Sequence, residues 1–189
     1  MNAEKKRLLK NGWGHLKTIT THKIAVMDEC FKVGLYKQGL LHDLSKYTPE
    51  EFRTGVYFFQ GTRSPNAAEK EFRGYSKAWL HHKGRNKHHF EYWIDLAPNR
   101  EDGLQGAKMP VKYVIEMFLD RVAAAKIYHK NDYTDCHAWN YYNMNKQYIT
   151  MHPDTRKLLE RLLKMLCRYG ERRTMSYIRN VVLTGKYKY

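Results

Sequence analysis

The run Leu41-His42-Asp43-Leu44-Ser45-Lys46 sets an imidazole beside a carboxylate, with an ammonium one helical turn on, inside an apolar stretch. Neighbouring residues on a helix point about 100° apart, so His42 and Asp43 can both reach a point between their two directions. A neutral imidazole and a carboxylate meeting there suit a divalent metal. Lys46 follows Asp43 by three positions and His42 by four, shares their face, and would hold an anion brought to that metal. An ordinary amphipathic helix with a polar edge would account for these six residues as well, so a metal site needs ligands from elsewhere in the chain.

Three other segments offer them. His22 falls on a periodic stripe with His15, Ile19, Val26, Cys30 and Val33, the buried face of a helix over residues 15–33. Asp120 interrupts the apolar stripe of the longest predicted helix, 110–129, formed by Tyr113, Met117, Ala124 and Ile127. An ionised carboxylate there is costly unless it is paired or bound to metal, and one of the chain's many basic side chains would serve equally as its partner. Glu116, one turn before Asp120, is placed either to orient a ligand histidine or to face water. The segment from Trp79 to Trp93 holds four of the ten histidines as two His-His pairs on either side of Gly84. By helical face His82 goes with Trp79 and His89 with Trp93, which makes these two the preferred ligands. His81 and His88 remain alternatives, as ligands or as groups that bind substrate.

The elements that must position these groups read as helices throughout. Hydrophobic residues make up 42% and aromatics 14% of 189 residues, enough for a sizeable core, while Gly (12) and Pro (5) are too few for a turn-rich β fold. The pattern predicts a short basic arm over 1–14 with a break at its glycines, then helices over 15–33, 35–46 and 48–60. Thr48-Pro49-Glu50-Glu51 supplies a start signal for the third of these. Further helices are predicted over 65–82, 88–96, 110–129, 136–149, 153–169 and on to 183. A loop occupies 97–108, a frayed tail 186–189, and no useful β alternation is present. Three cysteines without a C-x-x-C spacing fit a reducing compartment with no disulfide framework. The chain has no apolar run long enough to span a membrane and no signal-peptide core, so a cytoplasmic location is expected. A net charge of +15 favours anionic partners: nucleotides, nucleic acid or acidic proteins.

In order along the chain, His22, His42-Asp43, His82, His89 and Asp120 resemble the His…His-Asp…(His…His)…Asp ligand set of the HD-domain superfamily. The His42-Asp43-Leu44-Ser45-Lys46 run is similar to the His-Asp-x-Gly-Lys version of its HD-GYP branch, with Ser45 where glycine is usual. A closer resemblance is to a small bacterial and phage family of HD-like proteins with a His-Asp-x-Ser-Lys run, an Asn-x-His-His segment (here Asn86 to His89) and a Glu-Met-x-x-Asp helix (Glu116 to Asp120). No Gly-Tyr-Pro follows His89, so cyclic-dinucleotide cleavage is not implied, and the spacing from His82 to His89 is shorter than usual in the superfamily.

The resemblance, which covers about residues 15–130, implies an all-α, HD-domain-like bundle there, with 131–189 as extra C-terminal helices packed on it. It implies one or two divalent ions, with no choice among Mn, Fe, Mg, Co, Ni and Zn. His22, His42, Asp43 and Asp120 would hold the first, and Asp43 would bridge to a second held by His82 and His89, with Glu116 and Asn86 supporting the ligands. The activity implied is hydrolysis of a phosphate ester, probable substrates being nucleotides. Lys46 would stabilise developing charge beside Asp43, and Arg85, His88 or His81 would grip the substrate. Two alternatives carry different chemistry: a diiron oxygenase of the same architecture, and an inactive basic module that binds nucleic acid or protein.

Overall fold

The computed structural model describes residues 2–189. Eight α-helices and one two-stranded hairpin make up the principal regular structure of these residues, and the fold is all-α. None of the helices is long and apolar enough to cross a membrane.

Helix α1 (Ala3–Lys32) starts at Asn2, whose side chain accepts from the Glu4 amide. It runs unbroken through Gly12 and Gly14, where an arm and a break were expected. A Cβ at Gly14 would stand 2.5 Å from the Phe59 ring, so this glycine admits an aromatic side chain against the helix and does not end it. Helix α2 (Tyr36–Leu41) packs against α1. Helix α3 (Pro49–Phe58) begins after Thr48, but the Thr48 hydroxyl donates back to Ser45 O at 2.7 Å and caps nothing.

The single helix expected over 65–82 is two, α4 (Pro65–Arg73) and α5 (Lys77–Lys83). Gly74 takes a left-handed conformation (φ 81°) that ends α4. Ser76 then caps α5, accepting from the Trp79 amide at 3.0 Å while its hydroxyl donates to the buried Glu69 at 2.7 Å. The helix expected over 88–96 is a 3-10 turn (Phe90–Trp93) leading into strand β1 (Ile94–Leu96). Its antiparallel partner β2 (Leu104–Gly106) lies in the stretch read as a loop. Three-residue strands are too short to leave an alternation in the sequence.

Helix α6 (Val111–His129) is the axis of the core and packs against both α1 and α8. Its Val114, Ile115, Phe118, Leu119 and Val122 are fully buried. Helix α7 (His137–Asn145) precedes α8 (Pro153–Tyr177), which breaks at Gly170 (φ 78°, ψ 170°) as its sequence indicates and ends in a π-helical turn (Ile178–Val182). Leu158, Leu159, Leu162, Leu163 and Leu166 give α8 a fully buried face, and each such leucine stabilises the fold by about 1.5–3 kcal/mol. Past the break, Glu171 meets Lys32 and Lys126, and the same two ammonium groups hold Glu29, so one charge cluster ties α1, α6 and α8 together. The C-terminal tail is not frayed: Tyr189 donates its hydroxyl to Met109 O and meets Thr155 Oγ1 at 2.9 Å. Cys136 and Cys167 are joined in a disulfide where α7 meets α8, their Cα atoms 4.2 Å apart, whereas three free thiols were expected. Cys30 is free and buried.

His15 pins α1 to α3. Its ring lies between Phe52 and Phe59, with centroids 5.3 and 6.1 Å away, and a Cβ at Gly55 would stand 2.0 Å from its Nε2. Gly55→Ala therefore forces the ring out of its slot. Chemical denaturation should show a loss of about 1–3 kcal/mol, the usual range for overpacking; an unchanged midpoint would contradict the contact. Burial, with Lys46 contributing, lowers the His15 pKa to about 4. The folded state thus binds this proton less readily than the unfolded chain. The stabilisation is complete above the ordinary histidine value of 6.5 and is lost as pH falls from there through about 4. His15→Leu should flatten that part of the stability–pH curve, measured by thermal unfolding across the interval.

Candidate metal centre

Asp43 is where the centre is built, and its backbone explains how. The His-Asp pair was expected inside a helix over 35–46, but α2 ends at Leu41, His42 is its C-terminal cap, and Asp43 adopts left-handed geometry (φ 54°, ψ 24°) before a 3-10 turn over Leu44–Tyr47. Aspartate is among the few side chains that tolerate this region. With this break His42 and Asp43 both turn inward, His42 Nε2 facing Asp43 Oδ2. Lys23 of α1 secures it, donating to Leu40 O at 2.7 Å and His42 O at 3.1 Å, the carbonyls that the end of α2 leaves open.

The two oxygens of Asp43 face two groups of histidines. Oδ2 lies 3.3 Å from His42 Nε2 and 3.9 Å from His22 Nε2. Asp120 Oδ1 stands 2.9 Å from His22 Nε2 and 3.8 Å from His42 Nε2. Oδ1 of Asp43 lies 3.2 Å from His82 Nε2 and 3.4 Å from His88 Nε2, and His89 Nε2 is 2.9 Å from His82 Nε2. Ligand atoms on one ion with bonds of about 2.1 Å stand roughly 3–4.3 Å apart, so these separations match a coordination sphere. Helix α1 contributes His22, the α2 break His42 and Asp43, α5 and the turn after it His82, His88 and His89, and α6 Asp120.

Carboxylates behind the histidines set which nitrogen faces inward. Glu116 Oε1 accepts from Nδ1 of both His42 (3.0 Å) and His88 (3.1 Å), so each ring turns its Nε2 toward Asp43, where it would offer a lone pair to a bound cation. Glu116 thus orients two imidazoles at once, and the third side-chain group that converges here, His42 with His88 and Glu116, is this orienting contact. Glu51 does the same for His82, accepting from Nδ1 at 2.8 Å. Asn86 donates to Ser45 Oγ at 2.7 Å and to His82 O at 2.8 Å, which closes the α5 turn over the 3-10 turn.

The imidazoles and Lys46 offset the buried carboxylates. Burial would raise the Asp43 carboxyl, but His42, Lys46 and His82 outweigh it and hold the group well below the usual carboxylate range. Asp120 is also held well below that range, against its burial, by the hydrogen bond and charge of His22. Burial would lower His42, yet Asp43 and Glu116 push its imidazole up to about 10. Lys46 places its ammonium 2.6 Å from Asp43 Oδ2. In spite of this, His42 Nε2, His88 Nε2 and Asp43 Oδ1 are buried without a hydrogen-bond partner, an arrangement that costs about 1–3 kcal/mol per group. A cation among them would satisfy all three and displace the protons. The buried His/Asp group could hold a metal ion.

Of the residues singled out in the sequence, His22, His42, Asp43, His82, His89 and Asp120 converge here, with Lys46, Glu116 and Asn86 in contact with them. The three residues expected to grip substrate lie in different surroundings. His88 lies inside the cluster, because its segment is a turn and not a helix, so both members of its His-His pair can face Asp43. His81 is turned away, with Nδ1 2.6 Å from Glu51 and Nε2 3.3 Å from Glu50. Arg85 is exposed, with no side-chain ion pair among the described residues. Glu51 was missed. It occupies the third position of α3, where a glutamate reads as part of a capping signal, and nothing in the sequence marks it as a partner for a histidine thirty-one residues on.

The matching family model shows that the chain belongs to DUF5662, described as a family of unknown function, over residues 11–165. No curated protein and no solved structure matches it.

If Glu116 orients both His42 and His88, Glu116→Gln should weaken metal binding roughly 10–100-fold, read by calorimetric titration of the metal-free protein with Mn²⁺ or Co²⁺. Equal affinities in the two proteins would show that the metal does not sit where these imidazoles point.

Proposed function

We propose that the chain is a metal-dependent phosphohydrolase acting on a phosphate ester, with nucleotides the leading substrate class. The observation that carries this reading is Asp43, with one oxygen toward each histidine group and Lys46 on its more open side. His22, His42, Asp43 and Asp120 would hold one divalent ion. Asp43, His82, His88 and His89 would hold a second. Ions bound there would supply Lewis acidity and an activated water near neutral pH.

The remaining work falls to the chain. Side-chain exposure is close to zero at His42 and only 2–3% at Asp43, His82 and His88, but 17% at His22, 21% at Asp120 and 27% at Lys46. An anion would therefore approach over these last three. Lys46, freed from Asp43 once a cation neutralises it, would hold a phosphoryl oxygen as charge develops. The net charge of +15 draws such anions in. The resemblance of the His…His-Asp…Asp order to the HD-domain superfamily supports the same chemistry.

The test is a screen of phosphomonoesters, phosphodiesters and nucleotides with protein reloaded with Mn²⁺, Fe²⁺, Co²⁺ or Mg²⁺. The expected result is turnover that chelation and Asp43→Asn abolish and that Lys46→Ala lowers roughly 10²–10³-fold in kcat. Turnover indifferent to Asp43 would overturn the proposal. So would oxygen consumption by the iron-loaded protein in place of hydrolysis, which would instead favour a diiron oxygenase.

A further inference from the structure

The outer face of α8 has no part in the metal centre. Lys157, Arg161, Lys164 and Arg168 recur at four-, three- and four-residue steps, which places them on one stripe directly opposite the buried leucines. All four are exposed. The stripe runs about 16 Å, at 1.5 Å per residue, with a cation roughly every turn. Only Lys164 has a carboxylate partner, Glu160 at 3.4 Å; Lys157, Arg161 and Arg168 have none among the described residues. The acidic side chains nearby are engaged elsewhere: Glu171 with Lys32 and Lys126, Asp154 with Lys108.

Aromatic rings interleave with these cations. The Arg161 guanidinium lies over Tyr177 and Tyr187, 5.3 and 5.6 Å from their centroids, and Lys164 lies 4.9 Å over Trp139. Tyr169 is 54% exposed, leaving its ring available for stacking. Together Lys157, Arg161, Lys164, Arg168, Tyr169 and Tyr177 line an open groove of about 480 Å³, with Glu160 its one carboxylate and Met165 beside it. Cations held on rings lose little freedom when they bind an anion. A row of such cations beside a stacking surface is how proteins bind single strands, the cations following the phosphates and the rings taking unpaired bases. A membrane surface or an acidic peptide would use the charge but would not stack planar bases on an exposed ring.

We propose that the outer face of α8 is a binding surface for single-stranded nucleic acid, separate from the metal centre.

The experiment measures anisotropy of a labelled oligothymidylate with the full chain between about 50 and 200 mM salt. Four phosphate contacts predict a log–log salt slope of about −2.8, and Lys157→Ala/Arg168→Ala should bring it to about −1.4. Tyr169→Ala should weaken single-strand binding about tenfold and leave binding to duplex of the same length unchanged. Lys5→Ala/Lys6→Ala, which removes equal charge from the start of α1, should have little effect. The proposal is overturned if the two double variants weaken binding equally, since net charge alone would then explain it. It is also overturned if Tyr169→Ala has no effect, if polyglutamate or anionic vesicles compete as well as the oligonucleotide, or if nothing binds. Asp43→Asn should bind the strand like the parent chain, so this surface stands or falls apart from the hydrolytic reading.

Discussion

A single carboxylate, buried and held in a left-handed turn, organises this molecule. Removing Asp43 from water is expensive, and the fold offsets that expense with Lys46 and His42 from its own turn, imidazoles from two other segments, and supporting carboxylates from two more. Each of those segments must therefore arrive at one point. Helix α1 delivers His22 and Lys23, α6 delivers Asp120 and Glu116, α3 delivers Glu51, and the α5 turn delivers three histidines. The α1–α6 packing that buries Val26, Cys30 and Phe118 is thus also what sets the distance from His22 to Asp120.

The centre has two layers, and they differ in what they can tolerate. His42, His88 and His82 turn their Nε2 atoms inward because Glu116 and Glu51 hold the far side of each ring. Both glutamates are ionised and buried, their carboxyls kept below the usual range by the histidines they orient in spite of burial. Away from this region the structure is conventional: leucines of α8 against α6, a charge cluster at Glu29 and Glu171, and a short hairpin. The outward face of α8 departs from that pattern, since its cations are gathered beside aromatic rings and mostly lack carboxylate partners.

Much of this was legible in the sequence, for identifiable reasons. Asp120 and His22 stood out because a polar group on a periodic apolar stripe needs a partner. The helix starts at Pro65 and Pro153 and the break at Gly170 lie where the pattern puts them. What escaped was non-local or non-helical. The left-handed Asp43 leaves no trace in residue type, because aspartate tolerates that region but is found far more often outside it. His88 was separated from His89 by assuming a helix where the chain makes a turn. Gly14 was read as a break because its real role, contact with Phe59, depends on a residue far along the chain. The cysteine pairing and the docked Tyr189 were hidden in the same way, since both depend on how α8 packs.

All of the chemistry considered for this centre requires a cation between the histidine groups. Crystals of the protein grown with Mn²⁺ and measured for anomalous scattering would locate it. The account predicts peaks about 2.0–2.2 Å from the Asp43 oxygens, ringed by the Nε2 atoms of His42 and His82, with the Lys46 ammonium withdrawn. Manganese absent from Asp43, with Lys46 still paired to it, would contradict the account and leave the cluster as a buried ion-pair network.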